Sequence, residues 1–412
     1  MQDSYALSIV LANVKKEKVL IVGGGFGGVK AALKLSSDSR FDVTLLSDET
    51  DFRYYPALYH TATGGTRANS SISLSTIFKN QPVKLVQGRA ADIDRKGKMI
   101  ITEAEVNYAY ETLILSLGVV TNYFGIPGLP DYSYSIKSQD EVEKLKEHLH
   151  QQLIDERKPD LSYVIIGAGP TGIELAGSLP AYLTGVMKRH GLPRRKIHVD
   201  LIEAAPTLLP RLPKDVSRSV GKRLRKLKVK LHVNSIVQGQ TPDELTVSGK
   251  PIRSHTVIWT AGVTNNPFFT DNHFVMMGRG KVGVDTYLQT EENVFVIGDN
   301  ANTPYSGMAQ TALYDGEFVG ENLIRRADGK DMHSYKAKKP VTVIPAGKNW
   351  AAVTYGKFRL YGRLGYLLRT LADLIGFHDL EPWQVATKQW LTEFEYQETC
   401  VVCNIALASR RN

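Results

Sequence analysis

Cysteine is scarce in this chain of 412 residues, which contains only Cys400 and Cys403. Two thiols are too few for a four-thiolate iron–sulfur cluster or for a disulfide-rich secreted scaffold. The pair forms a CxxC near the C-terminal end, where we interpret it as two small apolar residues of a terminal helix. We expect no metal site.

Long apolar runs are also missing. No stretch approaches the roughly 18 uninterrupted apolar residues that indicate a membrane-spanning helix. Met1–Ser4 has no basic residue, and the apolar segment Leu7–Ala12 is too short for a secretory signal. We therefore expect the chain to be located in the cytoplasm. Low-complexity tracts and short-period repeats are absent from the sequence as well.

The net charge of +9 is concentrated in one segment, residues 211–230, which contains nine Lys or Arg and one Asp. This segment has no interleaved aromatic residues and no recognition motif, so we expect no nucleic-acid partner. A solvated helix face explains the charge, and attraction to anionic lipid headgroups is a secondary role for it.

Two glycine-rich turns each follow an apolar run and precede a helix-forming segment. The first follows Val19–Val22 and the second follows Val164–Ile166, and their first glycines are 144 residues apart. In such turns the first glycine permits the bend, the second lets backbone N–H groups approach a pyrophosphate, and the third lets the helix pack on the strand. Two copies predict two bound dinucleotides. The candidate binding residues are Gly23, Gly25, Phe26, Gly27 and Gly28 in the first turn, and Gly167, Gly169, Pro170, Thr171 and Gly172 in the second.

An acidic residue after the second turn indicates which dinucleotide binds there. Glu203 ends the predicted strand Ile197–Glu203, and a carboxylate in this place suits the ribose hydroxyls of NAD and repels the 2′-phosphate of NADP. Glu203 lies 31 residues after Gly172, beyond the usual spacing of about 20. We attribute the excess to an inserted loop, Lys188–Lys196.

The elements around the first turn indicate FAD. The strand Asp42–Leu46 is followed by Ser47 and Asp48, and which of the two meets the ribose is left open. Later in the chain, a short apolar strand ends in Gly298 and Asp299, as in two-dinucleotide flavoproteins, where this Asp points at the ribitol and phosphate region of the flavin. Two further apolar strands end in small residues that we assign to the FAD and NAD clefts, namely Gly118 in the first half and Ala261 and Gly262 in the second.

Five segments together carry a family resemblance: Thr121–Gly128, Gly169–Ala176, Trp259–Val263, Gly298–Ala301 and Ala309–Ala312. They are similar to the corresponding segments of type II NADH:quinone oxidoreductases, from about Lys18 to Lys330. The resemblance implies a peripheral, monotopic enzyme at the inner face of the cytoplasmic membrane. It would transfer two electrons from NADH through FAD to a membrane quinone without proton pumping, as a homodimer.

The resemblance also implies roles for single residues. Glu174, within the NAD site, is the candidate catalytic acid: the family places it near the nicotinamide–flavin stack, where it orients the substrate or relays protons through water. A Glu near a helix N-terminus is also favoured by the helix dipole. Ala309 and Gln310 belong to the segment facing FAD, and Gln310 with Tyr314 belongs to the quinone pocket. The family usually has a second Gln where this chain has Tyr314.

Two apolar stripes at helical spacing lie in the last part of the chain. Leu360, Leu364, Leu367, Leu368, Leu371, Leu374 and Ile375 form the first, with Arg363, Arg369 and Asp373 off the stripe. Trp383, Trp390, Leu391 and Phe394 begin the second. Such helices lie in a bilayer interface or pack on the core or on a dimer partner; the family resemblance favours the membrane.

The predicted fold class is α/β, with two Rossmann-like dinucleotide-binding domains and a small membrane-associating element. We predict an FAD domain from residues 1–125 and 281–335, an NAD domain at 126–280 that begins with a polar helix over Ser138–Arg157, and a C-terminal element at 336–412. Strands are expected at Val341–Ile344 and Trp350–Tyr355.

Two other functions fit the same fold. One is an NADH oxidase or diaphorase that passes electrons to oxygen or a soluble acceptor. The other is an NADH-sensing interaction protein that resembles apoptosis-inducing-factor-like flavoproteins. Thioredoxin-reductase-like and sulfide-oxidising enzymes are excluded, because both need cysteines close to the flavin and this chain has none near either turn.

Overall fold

The computed structural model describes residues 15–154, 162–254 and 256–392. The strands are β1 (Glu17–Val22), β2 (Phe41–Ser47), β3 (Asp51–Arg53), β4 (Ser71–Ser73), β5 (Val83–Gln87), β6 (Ala90–Asp94), β7 (Met99–Thr102), β8 (Asn107–Ala109), β9 (Thr112–Leu115), β10 (Val119–Thr121), β11 (Ser162–Ile166), β12 (His198–Ile202), β13 (Val229–His232), β14 (Val237–Gln240), β15 (Glu244–Val247), β16 (Lys250–Arg253), β17 (Thr256–Trp259), β18 (Val263–Asn265), β19 (Met276–Met277), β20 (Lys281–Val282), β21 (Gln289–Glu291), β22 (Val294–Val296), β23 (Thr342–Pro345), β24 (Ala351–Tyr355) and β25 (Phe358–Gly362).

The α-helices are α1 (Phe26–Ser36), α2 (Leu58–Ala62), α3 (Leu74–Ile77), α4 (Leu129–Tyr132), α5 (Gln139–Ile154), α6 (Pro170–Arg189), α7 (Lys214–Lys226), α8 (Pro267–Asp271), α9 (Ala309–Ala327), α10 (Arg363–His378) and α11 (Trp383–Leu391). Short 3₁₀ turns occur at Tyr55–Ala57, Arg67–Asn69, Gly278–Gly280 and Gly298–Asn300. None of the helices within the described ranges has the length and apolar content needed to cross a bilayer.

The chain forms two compact units. Among the described residues, the first unit comprises residues 15–52, 72–120 and 264–340. The second comprises residues 53–71, 121–154, 162–254, 256–263 and 341–392. The domain boundaries given above stay a prediction.

The first unit is built on a six-stranded sheet in the order β21-β22-β9-β1-β2-β5. All neighbouring pairs are parallel except β21 with β22. The central strand β1 buries Val19, Leu20, Ile21 and Val22, as a strand covered on both faces must. Helix α1 packs along α9, where a Cβ on Gly316 would lie 2.2 Å from the carbonyl oxygen of Gly27. This unit therefore holds β1 and its glycine-rich turn at the centre of the sheet.

The second unit repeats this plan with a parallel four-stranded sheet in the order β13-β12-β11-β17. Strand β11 occupies the same central position as β1, between the next strand in the chain and a later one. Two antiparallel three-stranded sheets accompany it, β14-β15-β16 and β23-β24-β25. The prediction of two Rossmann-like folds is confirmed.

The predicted C-terminal strands are present as β23 and β24, and the sequence reading missed β25. The prediction that Leu360 belongs to the first apolar helix is wrong, because Leu360 lies in β25 and the helix begins only at Arg363. The polar helix is present as α5 within the described residues. Phe394, Cys400 and Cys403 lie outside the described residues.

Candidate active site

The first glycine-rich turn joins β1 to α1 in a way that requires glycine at its ends and leaves space at its middle. Gly23 has φ +111°, and a Cβ there would lie 2.1 Å from the carbonyl oxygen of Ser116. A Cβ on Gly28 would lie 2.0 Å from the carbonyl oxygen of Gly23. A Cβ on Gly25, which precedes the first residue of α1, would meet no atom within 4 Å. The open space lies at a helix N-terminus, which fits a pyrophosphate.

The second turn repeats this geometry between β11 and α6. Gly167 has φ +101°, and its Cβ would lie 2.6 Å from the Cα of Ala261. A Cβ on Gly172 would lie 1.9 Å from the carbonyl oxygen of Gly167, whereas one on Gly169 would meet nothing within 4 Å. Pro170 starts the helix, and Thr171 follows it in the first turn of α6. Each unit therefore has one turn shaped for a dinucleotide.

Ser47 and Asp48 lie in different environments at the end of β2. Ser47 is buried against the first turn, since a Cβ on Gly24 would lie 2.6 Å from its Oγ. Asp48 is half exposed, and its carboxylate lies 3.4 Å from the guanidinium of Arg89. The structure thus brings Ser47 to the turn and directs Asp48 to a surface ion pair. Contact of either residue with a ribose stays a prediction.

Asn300 holds the two later FAD-site elements together, and the sequence reading gave it no role. Its Oδ1 accepts the N–H of Gly118 at 2.9 Å, and its Nδ2 donates to the carbonyl oxygen of Gly118 at 2.6 Å. The Asn300 side chain is fully buried. Gly298 and Asp299 precede it in the same turn, and the half-buried Asp299 accepts the N–H of Gly307 at 3.0 Å. The only sequence signal for this clamp was an Asn directly after the Gly-Asp pair.

The carboxylate of Glu203 accepts hydrogen bonds from two backbone N–H groups, one of them in the second turn. Its Oε2 accepts the N–H of Ala168 at 2.7 Å, and its Oε1 accepts the N–H of Ala205 at 2.9 Å. The inserted loop predicted at Lys188–Lys196 does not account for the long spacing between Gly172 and Glu203. Helix α6 extends to Arg189, and at 20 residues it is longer than the 11 residues of α1. A longer helix therefore accounts for most of the excess. The carboxylate still lies beside the predicted NAD turn.

Ala261 and Gly262 lie in the loop that follows β17. Thr260 Oγ1 donates to the carbonyl oxygen of Ile166 at 2.7 Å, which fixes this loop beside the second turn. A Cβ on Gly262 would lie 2.6 Å from the carbonyl oxygen of Asn122, so a larger residue does not fit. The predicted NAD-site residues of the second unit therefore come together in one region.

Glu174 lies in the second turn of α6 and is half-buried. Burial raises its pKa to about 8, and the positive charge of Arg369 acts in the opposite direction. The dipole of α6 would favour the charged form, so here burial outweighs it. Glu174 thus carries a proton at neutral pH, as a proton donor requires.

Arg369 belongs to a buried polar group that the sequence reading did not identify. It forms an ion pair with Asp373 one turn later on α10, and both side chains are buried. Arg369 donates to the carbonyl oxygen of Pro56 at 3.2 Å, and Tyr54 donates its hydroxyl to Asp373 at 3.0 Å. The Tyr54 ring also stacks on Phe377 at 4.5 Å. These contacts fasten α10 to residues 53–71.

The opposite face of α10 exposes its apolar residues. Leu364 is 64% exposed, Leu367 54% and Ile375 57%. Also exposed are Leu368 and Leu371 on α10, and Trp383, Val385 and Leu391 on α11. Arg369 and Asp373 lie off the apolar stripe, as predicted, but they face inward while the leucines face outward. This is the reverse of an ordinary surface helix.

Gln310 and Tyr314 are one turn apart at the start of α9, immediately after Ala309. Gln310 is exposed, whereas Tyr314 is half-buried. The ring centroids of Tyr314 and Tyr335 lie 5.7 Å apart. The Nζ of Lys338 lies 4.0 Å from the centroid of the Tyr314 ring. Tyr335 and Lys338 come from the segment after α9 and were not foreseen.

Known proteins of similar sequence and structure agree with this arrangement. Residues 17–316 match the pyridine nucleotide-disulphide oxidoreductase family. The type II NADH:quinone oxidoreductase of Staphylococcus aureus is 25% identical over 367 residues, covering 83% of this chain and 90% of the relative. NDH2 from Plasmodium falciparum, solved in complex with NADH, has a TM-score of 0.81 at 18% identity, covering 92% of this chain and 98% of that chain.

The sulfide:quinone oxidoreductase from Aquifex aeolicus shares the fold, with a TM-score of 0.74 at 17% identity over 93% of this chain and 98% of that chain. The matched family span contains both glycine-rich turns and the beginning of α9. The resemblance to type II NADH:quinone oxidoreductases is confirmed, and the chain belongs to the pyridine nucleotide-disulphide oxidoreductase family.

Proposed function

We propose that this chain oxidises NADH through bound FAD and passes two electrons to a membrane quinone without proton pumping. The observation that carries the proposal is the repeated open space at Gly25 and Gly169, one at the start of a helix in each unit. Two dinucleotides therefore fit one chain. The sequence relative from Staphylococcus aureus, which is named an NADH:quinone oxidoreductase, supports the choice of substrates.

The first unit provides the residues that would hold FAD. The N-terminal amides of α1 face the open space at Gly25 and would bind the pyrophosphate. Ser47, Gly118 and Asp299 would surround the rest of the molecule. Bound FAD supplies the two-electron acceptor for the hydride of NADH. The protein's own contribution is to bind, orient and supply protons.

The second unit provides the NADH site and a proton. The N-terminus of α6 faces the open space at Gly169, and Glu203 lies beside the same turn and disfavours a 2′-phosphate. Reduction of a quinone to a quinol takes up two electrons and two protons. The hydride of NADH accounts for both electrons and one proton, so one further proton is needed. Glu174 holds a proton on its carboxyl group at neutral pH, because burial raises its pKa to about 8. We assign it the role of proton donor.

Gln310 and Tyr314 would bind the quinone. Gln310 has donor and acceptor groups, and the Tyr314 hydroxyl can donate to a carbonyl oxygen. The pKa of Tyr314 is raised by burial, so the hydroxyl keeps its proton at neutral pH. The Tyr314 hydroxyl donates and accepts at one oxygen, whereas the family's usual amide donates from its NH2 group and accepts at its carbonyl oxygen.

The exposed apolar face of α10 and α11 would lie on the bilayer surface. A leucine-rich face of this kind, with Trp383 beside it, suits the interface between headgroups and acyl chains. The side would be the cytoplasmic one, because NADH is a charged nucleotide that does not cross membranes. The homodimer implied by the resemblance is part of this proposal, and a dimer partner is the other occupant that could cover this face.

Stopped-flow spectroscopy of the FAD-loaded protein tests the proposal. NADH alone is expected to bleach the flavin absorbance, and a short-chain quinone is expected to restore it much faster than air-saturated buffer does. If oxygen reoxidises the flavin as fast as the quinone does, the NADH oxidase is the better interpretation. If NADH fails to bleach the flavin, neither function holds.

A further inference from the structure

Asp315 is a carboxyl group buried in the interior of the first unit, on α9. Its side chain is fully buried, and each of its oxygens accepts a hydrogen bond from a different segment of the chain. Oδ2 accepts the backbone N–H of Gly298 at 3.0 Å, and Oδ1 accepts the hydroxyl of Tyr335 at 2.7 Å. Two converging donors are the environment in which an ionised carboxylate is retained inside a protein.

The first donor belongs to the turn that carries the FAD-site residues. Gly298 follows β22 and has φ +66°, in the left-handed region that favours glycine. Asp299 and Asn300 come next, and Asn300 clamps Gly118. The bond from Gly298 to Asp315 therefore fixes the start of this turn from the side of α9.

The second donor is held in place by contacts of its own. The Tyr335 N–H donates to the carbonyl oxygen of Thr286 at 2.6 Å, and its ring packs edge-on against Phe318 at 5.2 Å. His333 lies two residues before Tyr335, and its backbone N–H and carbonyl oxygen are both hydrogen-bonded to the side chain of Asn322 on α9, at 2.9 Å each. The segment after α9 is thus tied back along the helix, which aims the Tyr335 hydroxyl at Asp315.

We propose that Asp315 is a positioning residue for FAD: its carboxylate holds Gly298–Asn300 in the conformation that receives the flavin, and Tyr335 keeps that carboxylate ionised. The inference rests on the flavin part of the proposed function and is independent of the electron acceptor. Asp315 contacts the turn through the N–H of Gly298 and would act on FAD through this turn.

The charges around Asp315 make FAD binding dependent on pH. Burial raises the pKa of Asp315 to about 6, with the negative charge of Asp299 acting in the same direction, while the bonds from Tyr335 and Gly298 lower it. The carboxylate is therefore present above about pH 6 and lost as the pH falls through that value. The titratable and charged groups on α9 and on the elements packed against it include Tyr335, Asp299, Tyr314, Glu317, Glu321, Lys338, Lys281 and, on α1, Lys30 and Lys34.

The test measures the Kd for FAD rebinding to the flavin-free chain at several pH values between pH 5 and pH 8. Quenching of FAD fluorescence reports the binding. The unmodified protein is expected to bind FAD about tenfold more weakly at pH 5 than at pH 7.5, since one protonation with a pKa near 6 changes affinity by that order. Asp315→Asn is expected to bind about tenfold more weakly at pH 7.5 and to show no dependence on pH.

Tyr335→Phe separates the proposed role from simple loss of folding. Removing the hydroxyl removes a bond that lowers the pKa of Asp315, so the midpoint of the pH dependence is expected to move to higher pH. Glu321→Gln is the matched control, because it removes one negative charge from an exposed position of the same helix and should leave the curve unchanged.

Two results would overturn the inference. One is an Asp315→Asn protein that binds FAD with the affinity and pH dependence of the unmodified chain. The other is a Tyr335→Phe protein whose midpoint does not move, which decides the matter even if Asp315→Asn fails to fold. Failure of the unmodified chain to bind FAD at any pH would instead refute the proposed function.

Discussion

Asn300 hydrogen-bonds both main-chain groups of Gly118, at 2.9 Å to the N–H and 2.6 Å to the carbonyl oxygen. One buried side chain therefore joins the loop after β9 to the turn after β22. Strands β9 and β22 are neighbours in the sheet, and the Ile297 N–H donates to the carbonyl oxygen of Leu115 at 3.1 Å. The amide of Asn300 extends this connection beyond the strand ends, to Gly118.

Replacing that amide is expected to weaken flavin binding. Asn300→Ala removes both bonds and leaves the main-chain groups of Gly118 without this partner, so we expect the Kd for FAD to rise about tenfold or more. Fluorescence titration of the flavin-free protein measures the change. Asn80→Ala, at an exposed position of the same unit, serves as the control. An unchanged Kd in Asn300→Ala would show that the clamp is not needed for flavin binding.

Gly25 and Gly28 are expected to respond differently to the same change to alanine. Gly28→Ala puts a methyl group 2.0 Å from the carbonyl oxygen of Gly23, so it should lower the free energy of unfolding by about 2 kcal/mol or more. Gly25→Ala meets no protein atom within 4 Å and should leave the flavin-free protein about as stable, while it fills the space that a pyrophosphate needs. Thermal melting and FAD titration of both variants distinguish loss of stability from loss of FAD binding. If Gly28→Ala and Gly25→Ala melt at the same temperature, the predicted clash at Gly28 is contradicted.

Glu203 is expected to determine the preference for NADH over NADPH. A carboxylate beside the second turn repels a 2′-phosphate, so Glu203→Ala should narrow the ratio of kcat/KM values for the two cofactors by about tenfold, or roughly 1.4 kcal/mol. The same variant loses the bonds to Ala168 and Ala205, and its kcat/KM for NADH should fall as well. Comparable values for both cofactors in the unmodified enzyme would refute this assignment.

Glu174 is expected to make flavin reoxidation by quinone dependent on pH. Its pKa is raised to about 8, so the proton is present below that pH and is lost as the pH rises through it. Reoxidation in the unmodified protein should therefore slow above about pH 8. Glu174→Gln, which cannot donate this proton, should be slow at all pH values and should lose the dependence. A Gln variant with the unmodified pH profile would show that protons reach the quinone by another route.

The exposed face of α10 is expected to bind lipid. Leu367→Lys with Leu371→Lys places two charges on this face, and each exposed leucine contributes about 1.5–3 kcal/mol when buried, so co-flotation with phospholipid vesicles should fall at least tenfold. Bleaching of the flavin by NADH should be unaffected. Val275→Lys is the control, because Val275 is an apolar residue of the other unit that is more exposed than either leucine, at 69%. Unchanged flotation of the double variant would favour a dimer partner on this face.

The sequence predicted best what depends on neighbours in the chain. Gly23 and Gly28 are five residues apart, and the close approach that requires glycine at both is a property of one strand–turn–helix unit. The apolar strands were also located correctly, because a parallel sheet buried on both faces needs continuous runs of such residues.

Contacts between distant parts of the chain were not predictable in this way. Asp315 and Tyr335 are 20 residues apart and Asn300 and Gly118 are 182 apart, and no periodicity or spacing links them. For α10, periodicity separated the leucines from Arg369 and Asp373 but could not tell which face is outward, because that depends on Tyr54 and Pro56 from the first part of the chain.

The contact between Tyr54 and Asp373 also bears on how the protein is made. The two residues are 319 positions apart, and translation at about 5–20 residues per second separates their appearance by at least about 15 seconds. Residues 53–71 therefore leave the ribosome long before the helix that fastens them. The apolar face of α10 takes its final orientation only after Asp373 has been made, by which time the residues that precede α10 have had time to fold.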